Sequence, residues 1–189
     1  MRIFEKSQSQ AHQESFVLNA LKEKRNGFYV EIGSNDPVAW NNTLLLEEEY
    51  GWSGVGFEIN SELVEIYNNS RKNKCIATDA TDFNYLKYFK DNNFPKQIDY
   101  LQLDIEPAEQ TLKALYKLPL LEYRFSTITY EHDLYASPDN SLIKAESHGI
   151  FKLLGYELIA ENINDGDPNR MFEDWWIDPR VVKDFKIDS

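Results

Sequence analysis

Apolar and polar positions along this chain switch repeatedly between a helical spacing and a strand spacing. From about Ala11 to Lys24, residues Phe16, Val17, Ala20 and Leu21 fall on one face, as in an amphipathic helix. Gly27 follows where a helix end favours glycine, and Phe28 to Ile32 predicts the first strand. Further helices are predicted from Thr43 to Tyr50, Ser61 to Ser70, Phe83 to Lys90, Ala108 to Tyr116 and Ser141 to Leu154. Gly51 and Gly155 stop the first and last of these. Strands are predicted between them, from Val55 to Glu58, Lys74 to Thr78, Ile98 to Asp104 and Phe125 to Glu131. Tyr156 to Ala160 and Trp175 to Ile177 close the chain as two strands with no long helix between them.

Strands separated by helices predict βαβ units, and so a mostly parallel sheet with helices on both faces. The expected fold class is α/β: a Rossmann-like, seven-stranded sheet whose last two strands form an antiparallel hairpin. With 189 residues and no linker or repeat, one domain is expected over 1–189, with an N-terminal helix at about 11–24 and a core at about 27–179.

Charge narrows the partners. Twenty basic against 32 acidic residues give a net charge of −12, which disfavours a surface for nucleic-acid phosphates. The basic clusters Lys22–Arg25 and Arg71–Lys74 lie near helix ends, where they are expected to stay solvated and favour the helix dipole. Cys75 is the only cysteine, which excludes an intrachain disulfide and fits a small buried strand residue. No apolar run reaches membrane-spanning length, so a soluble, reducing, cytoplasmic setting is expected.

The chemistry lies where the acids fall. Glu31, Glu58, Asp104 and Glu131 each close a predicted strand, and Asp79 follows another. Any one of them fits a turn or a helix cap. Parallel strands, however, would bring all five to one edge of the sheet, where ligands bind. Gathered like charges are retained when a ligand, a metal or hydrogen bonds offset their repulsion. The loop Gly33-Ser34-Asn35-Asp36 carries one glycine where a dinucleotide fingerprint has three, and Pro37 to Asn42 delays the next helix. A ribose-bearing cofactor without phosphates fits better, and S-adenosylmethionine, with its sulfonium and ammonium, is one.

Several short motifs sharpen this. Phe28-Tyr29-Val30-Glu31-Ile32-Gly33-Ser34-Asn35-Asp36-Pro37, Asn41-Asn42-Thr43 and Gly51-Trp52-Ser53-Gly54-Val55 are followed by Leu103-Asp104-Ile105-Glu106, Thr129-Tyr130-Glu131-His132-Asp133 and Phe172-Glu173-Asp174-Trp175-Trp176. In order and spacing the chain resembles the FkbM-type, S-adenosylmethionine-dependent methyltransferases from about Ser7 to Pro179. That resemblance implies a Rossmann-like methyltransferase fold and methyl transfer to an oxygen of a sugar or glycan. It implies that Glu31, Gly33, Ser34 and Asn35 line the methionine half of the cofactor, with Asp104 nearby. Glu58 would accept the ribose hydroxyls, and Asp79 with Ala80 would meet the adenine. Pro107 departs from the glycine of many relatives and removes a backbone donor.

For the chemical step, the reactants must be aligned and the hydroxyl proton removed. Asp104, Glu131 and His132 are the catalytic candidates, at neighbouring strand ends. The same three, or Asp133 in place of the histidine, could hold Mg2+ to acidify the hydroxyl. His132 is an alternative base or a histidine bonded to a nearby carbonyl. Glu173, Asp174, Trp175 and Trp40 are candidates for the acceptor side, with rings for a sugar face and acids for its hydroxyls. In a strand, Trp175 and Trp176 point to opposite faces, so at least one belongs in the core. His148 reads as structural or at the rim, and His12 as exposed. The competing readings are a non-catalytic binding module and a nicotinamide-dependent oxidoreductase. The acceptor is expected to be a small molecule or glycan.

Overall fold

The structure, a computed structural model, describes residues 1–187. Seven strands form one sheet: β1 (Phe28–Ile32), β2 (Ser53–Glu58), β3 (Lys74–Ala77), β4 (Gln97–Leu103), β5 (Arg124–Glu131), β6 (Glu157–Ile163) and β7 (Glu173–Ile177). Their order is β3-β2-β1-β4-β5-β7-β6, with β1 to β5 parallel and β7 antiparallel to both neighbours. The expected terminal hairpin is present, and its second strand inserts between β5 and β6. The order turns back between β1 and β4, which is the switch point where a parallel sheet opens a crevice at its C-terminal edge.

Six helices cover the sheet: α1 (Gln13–Ala20), α2 (Leu44–Tyr50), α3 (Ser61–Ser70), α4 (Tyr85–Asp91), α5 (Ala108–Lys117) and α6 (Asn140–Leu153). Val30, Phe57, Leu101, Ile128 and Trp176 face a core completed by Phe89, Leu115 and Phe151 of α4, α5 and α6. Tyr29, Tyr100 and Trp175 face the other side, against Phe16 of α1 and Leu46 of α2. Alternation along each strand sends neighbours to opposite layers, as the pleat requires. α1 is shorter than the predicted span, and nearly all of it is buried, because Phe4 and Phe185 pack over its outer side.

One glycine turn fits its sequence signal, and one helix start is capped by a side chain. Gly51 ends α2 in the left-handed region at φ 70°, where its N–H donates to the Glu47 carbonyl. At the start of α3, Asn60 accepts from the N–H groups of Glu62 and Leu63, a side-chain cap for otherwise unpaired donors. Cys75 is buried beside Val64 and Tyr67. Among the described residues no helix is long and apolar enough to cross a membrane.

Candidate functional site

The C-terminal ends of β1, β2 and β4 are drawn together by a backbone contact that only glycine permits. Gly33 has φ 81°, and a Cβ there would stand 1.6 Å from the Asp104 carbonyl oxygen. Its N–H donates to Phe57 O at 2.9 Å, while the Asp104 N–H donates to Ile32 O at 3.0 Å. Beside this junction, the two carboxylate oxygens of Glu58 accept from the backbone N–H groups of Asn35 (3.0 Å) and Asn60 (2.9 Å). Those bonds fix the carboxylate while leaving each oxygen further lone-pair capacity.

Two cavities open on this edge. The inner one, of about 350 Å³, is lined by Phe57, Thr78, Asp79, Ala80, Pro107 and Gln110. The outer one, of about 620 Å³, is lined by Asn35, Trp40, Asp104, Glu131, Tyr135 and Arg170. Both also include Gly33, Glu58, Ile59, Ile105 and Glu106, so they form one cleft across the strand ends. Asp79 is tied down by the Thr81 hydroxyl (2.6 Å) and N–H (2.8 Å), which hold its carboxyl below the usual value. Trp40 is 75% exposed at the cleft mouth, where its loop makes an isolated bridge to Ser9.

Asp104 and Glu131 follow partnered residues of two parallel strands, Leu103 and Tyr130, and so stand side by side on one face. Burial pushes Asp104 up to about 6, and a hydrogen bond from Glu131 opposes that rise. Burial and the neighbouring Asp104 and Asp133 raise Glu131 well above the usual carboxylate range. Both carboxyls are thus biased towards the protonated form, because two like charges side by side in a dry setting oppose each other's ionisation.

Solved structures share this architecture. A candidate rRNA methylase from Clostridium thermocellum is 11% identical, with 90% of this chain and 96% of that one covered and a TM-score of 0.63. For a SAM-dependent methyltransferase from Aquifex aeolicus the values are 12%, 89%, 91% and 0.56. For Aeropyrum pernix fibrillarin, in complex with natively bound S-adenosyl-L-methionine, they are 10%, 94%, 84% and 0.54. The fold is that of the Rossmann-like methyltransferases. No family model and no curated protein match the chain. The FkbM-type resemblance is corrected accordingly, because the structural matches are to Rossmann-fold methyltransferases at large. The motifs have a local physical reason in this chain: Gly33, at the end of Glu31-Ile32-Gly33, makes room for the Asp104 carbonyl where β1 and β4 come close.

Within this methyltransferase fold, Gly33, Asn35, Glu58, Asp79, Ala80, Asp104, Glu131 and Trp40 all line the cleft. Other expected site residues lie elsewhere. Glu31 is 1% exposed and lines neither cavity; it accepts from Thr43 Oγ1 (3.1 Å) and Tyr67 OH (3.4 Å), and burial raises it to about 7. The register explains this: Glu31 pairs with Gly56 and Gln102, two residues before Glu58 and Asp104. It therefore sits ~6–7 Å below the row of strand ends. Ser34 is also buried, its hydroxyl turned towards Gly56 rather than the cleft.

His132 is fully buried. Its Nδ1 accepts from Leu134 N–H (3.2 Å) and its Nε2 lies 3.3 Å from Asp174 Oδ1, so neither nitrogen serves the cleft. Among the described residues no group of three or more His, Cys, Asp or Glu side chains could hold a metal ion. The expected Mg2+ set of Asp104, Glu131 and His132, or its Asp133 variant, does not fit. Asp174 is a buried acceptor for His148 Nε2 (2.6 Å) and Asn162 N–H (2.7 Å). Although burial opposes it, His132 and His148 hold the Asp174 carboxyl below the usual value. Trp175 stacks on Phe16 at 4.7 Å, and its Nε1–H donates to buried Glu173 at 2.5 Å. Glu173, Asp174 and Trp175 are thus core groups and not acceptor contacts. His148 is structural, and His12 is exposed as expected.

Three cleft residues carried no sequence signal. Arg170 bonds Asp165 at 2.8 Å and lies 5.2 Å over the Tyr135 ring, linking the β6–β7 and β5–α6 loops across the outer cavity. The polar stretch Asn164–Arg170 reads as an ordinary connection, and nothing in its pattern shows that it folds back over the sheet edge. Arg71 reverses the expectation of a solvated cluster: its side chain is 1% exposed and hydrogen-bonded inside the molecule.

Proposed function

We propose that this chain is an S-adenosylmethionine-dependent methyltransferase that acts on a hydroxyl of a sugar or related small molecule. The observation that carries the reading is the continuous cleft. Anchored Glu58 stands between an apolar inner cavity and an outer cavity that holds the side-by-side carboxyls of Asp104 and Glu131. The cofactor's contribution is an electrophilic methyl group on a cationic sulfur.

The chain's residues divide the remaining work. The free lone pairs of Glu58 accept the two ribose hydroxyls, and Phe57, Ala80 and Pro107 give the inner cavity apolar walls for a purine. Gly33 lets backbone come close where a side chain would block the path to Asp104. Asp104, whose carboxyl burial raises to about 6, accepts the hydroxyl proton, and Glu131 beside it on the neighbouring strand orients it. Trp40 offers an exposed ring at the mouth for the apolar face of a sugar. Five acids against Arg170 in the outer cavity, with a net charge of −12, disfavour a phosphate-rich acceptor.

Transfer of labelled methyl from S-adenosylmethionine to a pool of soluble glycans tests this. Asp104→Asn should cut transfer by ~100-fold and leave binding of S-adenosylhomocysteine within about threefold. Undiminished transfer by Asp104→Asn would remove the assigned base, and label found only in added RNA would remove the acceptor class.

A further inference from the structure

The deepest cation in the molecule lies behind the cleft, and its hydrogen bonds converge on one loop. Arg71, the residue that ends α3, is turned inward beneath the Ser34–Thr43 segment. Its Nη1 donates to Pro37 O (2.9 Å) and Asn41 Oδ1 (3.0 Å), and its Nη2 donates to Thr43 Oγ1 (3.1 Å). Nε donates to Glu47 Oε2 at 3.0 Å, Nη2 also reaches Tyr29 OH at 3.4 Å, and the guanidinium lies 4.8 Å over the Tyr67 ring. Glu31 joins through Thr43 and Tyr67. Three of the five acceptors belong to the loop that carries Asn35 and Trp40 to the cleft.

We propose that Arg71 is a positioning residue of the cleft: its planar fork holds the Ser34–Thr43 loop in the shape that presents Asn35 and Trp40 to the ligand. A surface arginine performing a helix-end role would need none of these partners. The loop has no regular secondary structure of its own to hold it. What it has are local turns, such as the Asp36 carboxylate accepting from Val38 and Ala39 N–H, and the bonds to Arg71. Asn41 adds a second tie from within, donating towards Ser34 O (3.4 Å) and Asp36 O (3.3 Å) while it accepts from Arg71. A lysine supplies the charge without the fork, so it cannot satisfy acceptors on Pro37, Asn41 and Thr43 together. The inference rests on the proposed function for the identity of the ligand, but not for the loop's mobility.

Hydrogen exchange by peptide, together with calorimetric binding of S-adenosylhomocysteine, tests it with Arg71→Lys and Asn41→Ala. The second variant removes one of Arg71's three contacts with the loop and keeps the Arg71–Glu47 pair. In both, amides 34–43 should exchange at least about tenfold faster, while peptides covering β4 and β5 stay within about twofold of wild type. Binding should weaken about tenfold. Uniform acceleration across all peptides would mark a purely stabilising residue and overturn the proposal. So would unchanged exchange at 34–43, or unchanged affinity with a loosened loop. If Arg71→Lys does not fold, Asn41→Ala decides. If the wild-type chain binds no S-adenosylhomocysteine, the proposed function fails, and exchange at 34–43 still decides whether Arg71 holds the loop.

Discussion

Gly33 carries the tightest steric demand in the molecule. Its φ of 81° lies in the left-handed region, and its missing side chain makes room for the carbonyl of Asp104. Gly33→Ala should therefore cost at least ~3 kcal/mol, read as a lowered urea midpoint, because the obstacle is backbone and cannot step aside. The requirement was legible in Glu31-Ile32-Gly33, where an apolar run stops at glycine. What the sequence does not reveal is depth. Glu31 and Glu58 look alike as acids that end strands, yet register sets Glu31 two residues lower and seals it against Thr43 and Tyr67. Pairing register depends on contacts distant in sequence, so no local pattern separates the two. The same holds for Arg71, whose partners Pro37, Asn41 and Thr43 lie about thirty residues away.

Elements were the most readable level, since periodicity is a local property. All seven strands and six helices lie where the spacing predicts them, with ends shifted by a few residues. β7 shows where that reading stops. Alternation sends Trp175 and Trp176 to opposite faces, as expected, but both faces of β7 are covered: Trp175 by Phe16 and Trp176 by Phe151. A tryptophan beside acids looks like a sugar platform only while its strand is taken to lie at the sheet's edge, and β7 lies inside, between β5 and β6. Trp175→Ala should accordingly lower stability by ~3–5 kcal/mol. Chemical unfolding checks this, and under conditions where the variant is folded its affinity for S-adenosylhomocysteine should match wild type. A selective loss of acceptor affinity with stability intact would return Trp175 to the site.

Across the whole molecule, buried carboxyls set the response to pH. Burial raises Glu14 and Glu31 to about 7 and Glu173 to about 8, from an ordinary 4.5. Each binds its proton more tightly in the folded chain than in the unfolded one. Their stabilising contribution is thus complete below pH 4.5 and is lost as pH rises through 7 to 8. Asp174 works in the opposite sense, its lowered value adding stability above pH 4. The urea midpoint should therefore be highest near pH 5 and fall towards pH 8. Glu173→Gln, which removes a buried charge whose Oε2 has no partner, should raise stability at pH 8 by ~1–3 kcal/mol and leave it unchanged near pH 5. A midpoint that instead climbs from pH 5 to pH 8 would mean these carboxylates are stabilised as anions.

The sheet order, the crevice between β1 and β4 and the anchored Glu58 converge on one claim, that the cleft binds S-adenosylmethionine. Calorimetric titration of the intact protein with S-adenosylhomocysteine at pH 7 tests it most directly. One molecule should bind per chain, and Glu58→Ala should weaken binding ~100-fold, two charged hydrogen bonds at ~1.5 kcal/mol each. No heat from the wild-type protein, or equal affinity in Glu58→Ala, would contradict it.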